Sequence, residues 1–348
     1  MKTIGIKSNS KLSAIAGILT NETFLYVIKR LLQGILTLFL ASLLSFIIID
    51  QAPGDFLDTL KGNPAISQEQ LDGLIKLYGL DQPWYVQYWS WLVGVVTRFE
   101  FGYSYYYKIP VTSVIWPRVG ATLLLAVASI FVTWAIAIPL GILSAVKQNT
   151  LLDRILRTLS YIGQGFPSFI AALLLLFFAQ SVSPLFPVGN MESINHSELS
   201  RFGKIIDIGW HMILPTIALS LTSFAGLQRL TRGQLLDVLR QDYIQTARAK
   251  GLPENRVFYV HALRNAINPL ITLLGFEFAS LLSGSFIAEY FFNWPGLGTL
   301  TLTAVQATDT YLVMTSLTIG AAMLIIGNLL ADLLLKVVDP RITLDNLK

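Results

Sequence analysis

The chain has 348 residues, 53% of them hydrophobic and only 13% charged, with a mean hydropathy of +0.60. A soluble domain carries about a quarter charged residues, so a soluble globular protein is excluded. The net charge of +4 gives no nucleic-acid footprint, and the absence of cysteine excludes disulfides, thiolate metal sites and cysteine nucleophiles. Three scattered histidines, His196, His211 and His261, argue against a histidine-rich metal site, and His211 and His261, near span ends, read as local hydrogen-bonding residues.

A helix needs about 20 mostly apolar residues to cross the hydrocarbon core of a bilayer. Six stretches qualify, which makes the expected fold an all-α integral membrane protein with six transmembrane helices. Residues 1–25 read as a cytoplasmic leader, with no signal-peptide cleavage pattern ahead of the first span, Leu31 to Ile49. Residues 51–119 form a long outer loop. Within it, Ser67 and Gln70 fit a capping box and Gly79 fits the end of the helix they start. Trp84, Tyr85, Tyr88, Trp89 and Trp91 then suit an interfacial helix on the outer surface.

Residues 120–338 read as a five-helix core. The second span runs from Ala121 to Val146 and the third from Leu159 to Val182. They contain Pro139, Gly141, Gly163, Gly165 and Pro167, which suit close packing and bending. The fourth span is Ile213 to Leu230, the fifth Leu270 to Ile287 and the sixth Leu312 to Val338. Residues 339–348 are read as a cytoplasmic tail.

Basic residues alternate between loops. Lys147, Arg154 and Arg157 follow the second span, and seven Lys or Arg residues lie between Arg229 and Arg264. The stretch from Ile287 to Tyr311 has none, only Glu289 and Asp309. The positive-inside rule therefore predicts that both termini and the 229–268 segment are cytoplasmic.

That segment has a helical pattern. Leu235, Leu236, Leu239 and Tyr243 recur on one apolar stripe. Thr246 to Lys250 are followed by Gly251 as a left-handed stop, and Pro253 suits the first turn of a second helix. Asn268-Pro269 should interrupt that helix before the fifth span. In the fifth span, Glu277 is expensive in lipid and should face the bundle interior or an aqueous path. Two readings stay open for it: a pathway carboxylate that meets a substrate amine or cation, or a protonated side chain bonded to a neighbouring helix. Asp332, near the end of the last span, can reach water or a basic neighbour.

The run Asp242-Tyr243-Ile244-Gln245-Thr246-Ala247-Arg248-Ala249-Lys250-Gly251-Leu252, followed by His261-Ala262-Leu263-Arg264-Asn265-Ala266, resembles the coupling motif of binding-protein-dependent ABC importer permeases. It is similar to the first-permease (B-type) branch that serves dipeptides, oligopeptides and nickel. Gln245, Thr246, Ala247 and Gly251 stand at the positions of that family's Glu-Ala-Ala and Gly, and Leu263-Arg264 replaces a Leu-Pro. The likeness extends through Pro53-Gly54-Asp55, Tyr78 to Pro83, Phe101-Gly102-Tyr103-Ser104, Arg118 to Thr122, Glu289 to Gly298 and Asp339-Pro340-Arg341.

The resemblance implies a type I ABC importer permease fold with a cytoplasmic coupling helix, in a bacterial cytoplasmic membrane. It implies a second related permease subunit, two ATPase subunits and an extracytoplasmic substrate-binding protein. The coupling residues would be Tyr243, Gln245, Thr246, Ala247, Arg248, Ala249, Lys250 and Gly251. In that reading Ala247 is a close contact and Arg248 and Lys250 pair with ATPase carboxylates or stay solvated. The expected cargo is short peptides, or nickel and related small solutes, moved by ATP-driven alternating access. No phosphate-binding loop is present, so the chain itself should bind no ATP and no cofactor. Catalytic motifs of the His-Glu-x-x-His or Gly-x-Ser-x-Gly type are also missing, which argues against an enzyme. The alternative is a secondary transporter or channel without ATPase partners.

Overall fold

A computed structural model describes residues 21–51, 67–79, 81–183 and 185–338. Pro53-Gly54-Asp55, Asp339-Pro340-Arg341, most of the leader and the tail lie outside the described residues. Among those described the chain is helical, with one isolated antiparallel bridge between Tyr103 and Pro110. In chain order the first helices are α1 (Asn21–Asp50), α2 (Gln68–Tyr78), α3 (Trp84–Arg98) and α4 (Val111–Val146). Next come α5 (Leu151–Gly165), α6 (Ser168–Ser181), α7 (Arg201–Leu239) and α8 (Asp242–Ala249). After them come α9 (Glu254–Arg256), a π-helical stretch over Val257–Ala262 and α10 (Leu263–Ala266). The last are α11 (Asn268–Phe291), α12 (Leu297–Gln306) and α13 (Thr310–Val338).

Among the described residues four helices are long and apolar enough to cross a membrane: α1, α4, the first part of α7, and α13. The pair α5–α6 passes the same test jointly but bends by 102°. The third span, expected over Leu159 to Val182 with Pro167 suited to bending, is thus broken at that proline and begins earlier, at Leu151. Phe166 is extended (φ −91°, ψ 115°) because the following proline disfavours a helical conformation there, and α6 begins just after Pro167.

Cross-helix register shows which way each helix runs. Along α4 and α7, Ser220 Oγ donates to the Ser129 carbonyl at 3.2 Å. Further on, Gly141 abuts Thr231 and the Gln228 carbonyl. The numbers rise together, so these two helices run parallel and the chain between them must cross back. The bent pair does so: Ser160 reaches Gln228, Gly163 abuts Ala225, and Ala172 and Ala179 join the cluster of Leu214 and Ala218. On α11, Leu270 packs with Ala137, Glu277 meets Trp134 and Glu289 meets Thr122, so it runs antiparallel to α4. Phe278 faces Gly327 of α13, and Arg30 of α1 meets Asp332 at 3.2 Å. The starts of α1 and the end of α13 therefore share one face of the bundle, as do the α4–α5 turn and the 239–267 segment.

Packing explains the features outside the spans. Ser67 and Gln70 make both bonds of a capping box, and Gly79 closes α2 at φ 65°. In α3, Trp84, Tyr85 and Trp89 are exposed, whereas Tyr88 and Trp91 are buried against Phe46 and Met314. Two of the five aromatics are therefore core, with the Tyr88 hydroxyl 3.0 Å from Ser42 Oγ on α1. Asp332 finds its basic neighbour in Arg30 and also accepts from the Tyr26 hydroxyl at 2.7 Å.

Candidate coupling surface and transport pathway

Past the membrane, α7 continues to Leu239, where Arg240 and Gln241 turn the chain into α8. Leu235, Leu239, Ile244, Ala247, Val257, Ala262 and Ala266 bury together with Ala145 of α4. This small core ties the hairpin to the span end. The apolar stripe stops at Leu239: Tyr243 lies in the first turn of a new helix and is 45% exposed. Its hydroxyl accepts from Asn265 Nδ2 at 3.0 Å, linking α8 to α10.

The expected coupling residues divide between two faces. Tyr243, Gln245, Thr246, Ala249 and Lys250 point outward, with Gly251 at the exposed turn. Ala247 does not: it is buried, and the close contact expected of it is with this chain's own core. Arg248 pairs with Glu254 through Nε at 2.9 Å and Nη2 at 3.4 Å rather than standing free. Gly251 adopts φ +76° with nothing near the position of a Cβ, so its backbone conformation and not its size requires glycine. Pro253 lies just outside the next helix, as its N-cap.

The interruption expected at Asn268-Pro269 is slight. Ile267 keeps right-handed helical dihedrals (φ −75°, ψ −28°), and Pro269 occupies the first turn of α11, where no donor is needed. The hairpin therefore runs into α11 without a loop, through a π-helical stretch that absorbs the change of register.

A brace that sequence reading overlooked stands beside this lever. Arg232 of α7 donates to both Asp153 oxygens, Nε at 2.8 Å and Nη2 at 2.9 Å. Ser144 Oγ and the Asn149 N–H also donate to Asp153, at 2.5 and 2.9 Å. The Arg232 guanidinium, with these donors, holds the Asp153 carboxyl well below the usual carboxylate range despite burial. The signal available in sequence was Thr150 followed by Asp153, a helix start placed in a basic loop.

Within the bundle, Glu277 Oε2 accepts from Trp134 Nε1 of α4 at 2.7 Å, and Ser223 of α7 supplies a second hydrogen bond. The same carboxylate lines a cavity of about 730 Å³ between α7 and α11. Ser223, Arg229, Gln234 and Asp237 are its other polar walls. Glu277 is thus both bonded to neighbouring helices and presented to an open space.

At the opposite end, several quoted motifs converge. Buried Glu289 accepts from Gly298 N–H at 2.8 Å, Thr299 N–H at 3.1 Å and Thr122 Oγ1 at 2.6 Å, which caps α12. The Trp294 indole N–H donates to the Ala121 carbonyl at 3.0 Å. A Cβ on Gly296 would lie 2.1 Å from the Glu289 carboxyl carbon, so the Trp-Pro-Gly-Leu-Gly run makes room for that carboxylate. Asp309 likewise binds Ser104 Oγ at 2.6 Å and the Tyr106 and Leu312 N–H groups, pinning the outer loop to the start of α13. These residues build the outer corner and are too enclosed to meet cargo.

Comparison with known proteins agrees with this architecture. The family described as binding-protein-dependent transport system inner membrane component matches residues 137–344. Its N-terminal membrane-component companion matches residues 23–126. The oligopeptide transport system permease protein AppB of Bacillus subtilis (strain 168) is 42% identical over 318 residues, covering 91% of this chain and 98% of the relative. The dipeptide transport system permease protein DppB of Escherichia coli (strain K12) is 36% identical over 333 residues, with the same coverage. Among solved structures, the inward-facing MetNI methionine ABC transporter aligns with 65% of this chain and 97% of its own at a TM-score of 0.53 and 16% identity, a likeness of fold. The chain belongs to the binding-protein-dependent transport system inner membrane components, and it is a permease subunit of an ABC importer.

Proposed function

We propose that this chain forms half of a pathway that carries short peptides into a bacterial cytoplasm, with nickel or another small solute as the alternative cargo. The peptide reading is supported by the names of its relatives, which serve oligopeptides and dipeptides. A second related permease completes the pathway, an extracytoplasmic binding protein delivers cargo, and two ATPase subunits supply energy. The face of the bundle carrying Arg30, Asp332 and the hairpin is cytoplasmic, in keeping with its basic loops.

One observation carries the mechanism: α8 presents an outward polar face on a packed hairpin that continues into α11. Tyr243, Gln245, Thr246, Ala249 and Lys250 dock into an ATPase subunit. Gly251 sets the turn, while Ala247 and the Arg248–Glu254 pair stiffen the hairpin from within. Closure of the ATPases then moves α11 and α7 as rigid bodies and switches access to the cavity.

Mild-detergent purification of the tagged chain from its native membrane tests this, with Thr246→Arg beside it. Thr246 is exposed, so the variant should keep its thermal stability yet lose the co-purifying ATPase subunits. ATPases retained by the variant at native stoichiometry would remove α8 from the docking role.

A further inference from the structure

The cavity between α7 and α11 carries charges of both signs. Glu277 lies at one end beside Ser223, and Arg229 lines the same space six residues further along α7. Six helical residues advance about 9 Å. An extended peptide advances about 3.3–3.6 Å per residue, so its two termini, two or three residues apart, fit that separation. Both partners of Glu277 donate to it, which leaves its carboxylate an acceptor for further N–H groups. Arg229 is held over the Tyr161 ring at 5.2 Å, a contact that fixes the guanidinium without consuming its hydrogen-bond donors.

Two glycines add an independent observation. Gly226 and Gly233 line the cavity, and a Cβ on either would meet nothing in this chain. Glycine inside a helix costs about 1 kcal/mol relative to alanine. No close neighbour within the chain accounts for that cost here; the open space beside both residues does.

We propose that this cavity is a transit station for zwitterionic short peptides, with Glu277 taking the α-ammonium group and Arg229 the terminal carboxylate. The proposal rests on the peptide-importer reading and adds the chemistry of recognition. It assigns to the permease a check on both free termini that operates after the binding protein has released its cargo.

The test uses the whole complex with its binding protein in proteoliposomes and three radiolabelled probes: trialanine, N-acetyl-trialanine and trialanine amide. Binding-protein affinity for each probe is measured separately and divided out. The native complex should favour trialanine about tenfold over either blocked peptide beyond the binding protein's own preference, as expected for one lost charge-assisted contact. Glu277→Gln should lose only the discrimination against the acetylated peptide, and Arg229→Gln only that against the amide. Gly226→Leu should slow all three alike. Glu277→Gln and Arg229→Gln variants that scale uptake of every probe by one common factor, or leave it unchanged, would overturn the proposal. A native complex that imports none of the three would overturn the peptide reading itself, and the station with it.

Discussion

At the scale of single residues, the Asp153–Arg232 pair decides how firmly α7 is tied to the start of α5. Asp153 is fully buried and Arg232 mostly so. Arg232→Ala removes the bidentate partner of a buried carboxylate, leaving only Arg157 at 3.6 Å, and should cost no more than about 3–5 kcal/mol, read as a lower melting temperature in detergent. The pH dependence has a definite sign. Because the folded carboxyl is depressed, its stabilisation is complete above the unfolded value of about 3.9 and is lost as pH falls towards the folded one. The melting difference between native protein and Asp153→Asn should therefore stay constant from pH 8 to 5 and shrink only below about pH 4. Shrinkage already at pH 6 would mean that the brace does not hold the charge as described. Gly251 shows a different kind of constraint. Gly251→Ala meets no neighbour and is strained only by its positive φ, costing about 1–2 kcal/mol.

Elements show why particular glycines sit where they do. Gly296 and Gly298 leave space for Glu289, whose carboxylate caps α12. Gly298→Ala would place a Cβ 2.8 Å from Oε2 and 2.9 Å from the Phe286 Cα. Overpacking of this kind costs about 1–3 kcal/mol, and the freed corner should become sensitive to added protease. Unchanged cleavage would show that α12 stays seated without its cap. Gly141 plays the same part between α4 and α7, where a Cβ would lie 2.6 Å from Thr231. The bend between α5 and α6 belongs to this scale too. It arises from one proline and its neighbour, yet the crossing survives because both halves keep their contacts with α7.

For the whole molecule, the decisive feature is continuity between the hairpin and α11. A rigid hairpin transmits displacement; a flexible one dissipates it. Two glycines inserted between Ile267 and Asn268 should leave the ATPases bound and hydrolysing while ATP-dependent uptake is lost. Uptake preserved at the native ratio to hydrolysis would mean that force travels through α7 instead. The exposed apolar surfaces fit the same picture. Leu32, Ile35, Leu36 and Leu40 on α1, with Phe131 on α4 and Phe177 on α6, face outward in numbers that only lipid or another permease subunit would cover.

The all-α membrane fold, the clustering of basic residues and the capped helix of the 51–119 loop were legible in the sequence, because each depends on local composition or on residues a few positions apart; of the six spans expected, four helices and one bent pair are long and apolar enough among the described residues. Helix ends were less so: α4 begins at Val111 and α7 at Arg201, about ten residues ahead of the apolar runs read in the sequence, and at the start of α4 the buried Val111, Val114, Ile115 and Val119 pack the added turns into the core. Tertiary structure alone decided that Ala247 faces inward, that Arg248 is already paired, and that Asp153 finds Arg232 79 positions away. It also decided that Glu277 is bonded and open to a cavity at once. Those outcomes turn on which side of a helix meets which neighbour. A linear pattern specifies the helix and its apolar stripe, but the partner across the interface is fixed only when the whole bundle packs.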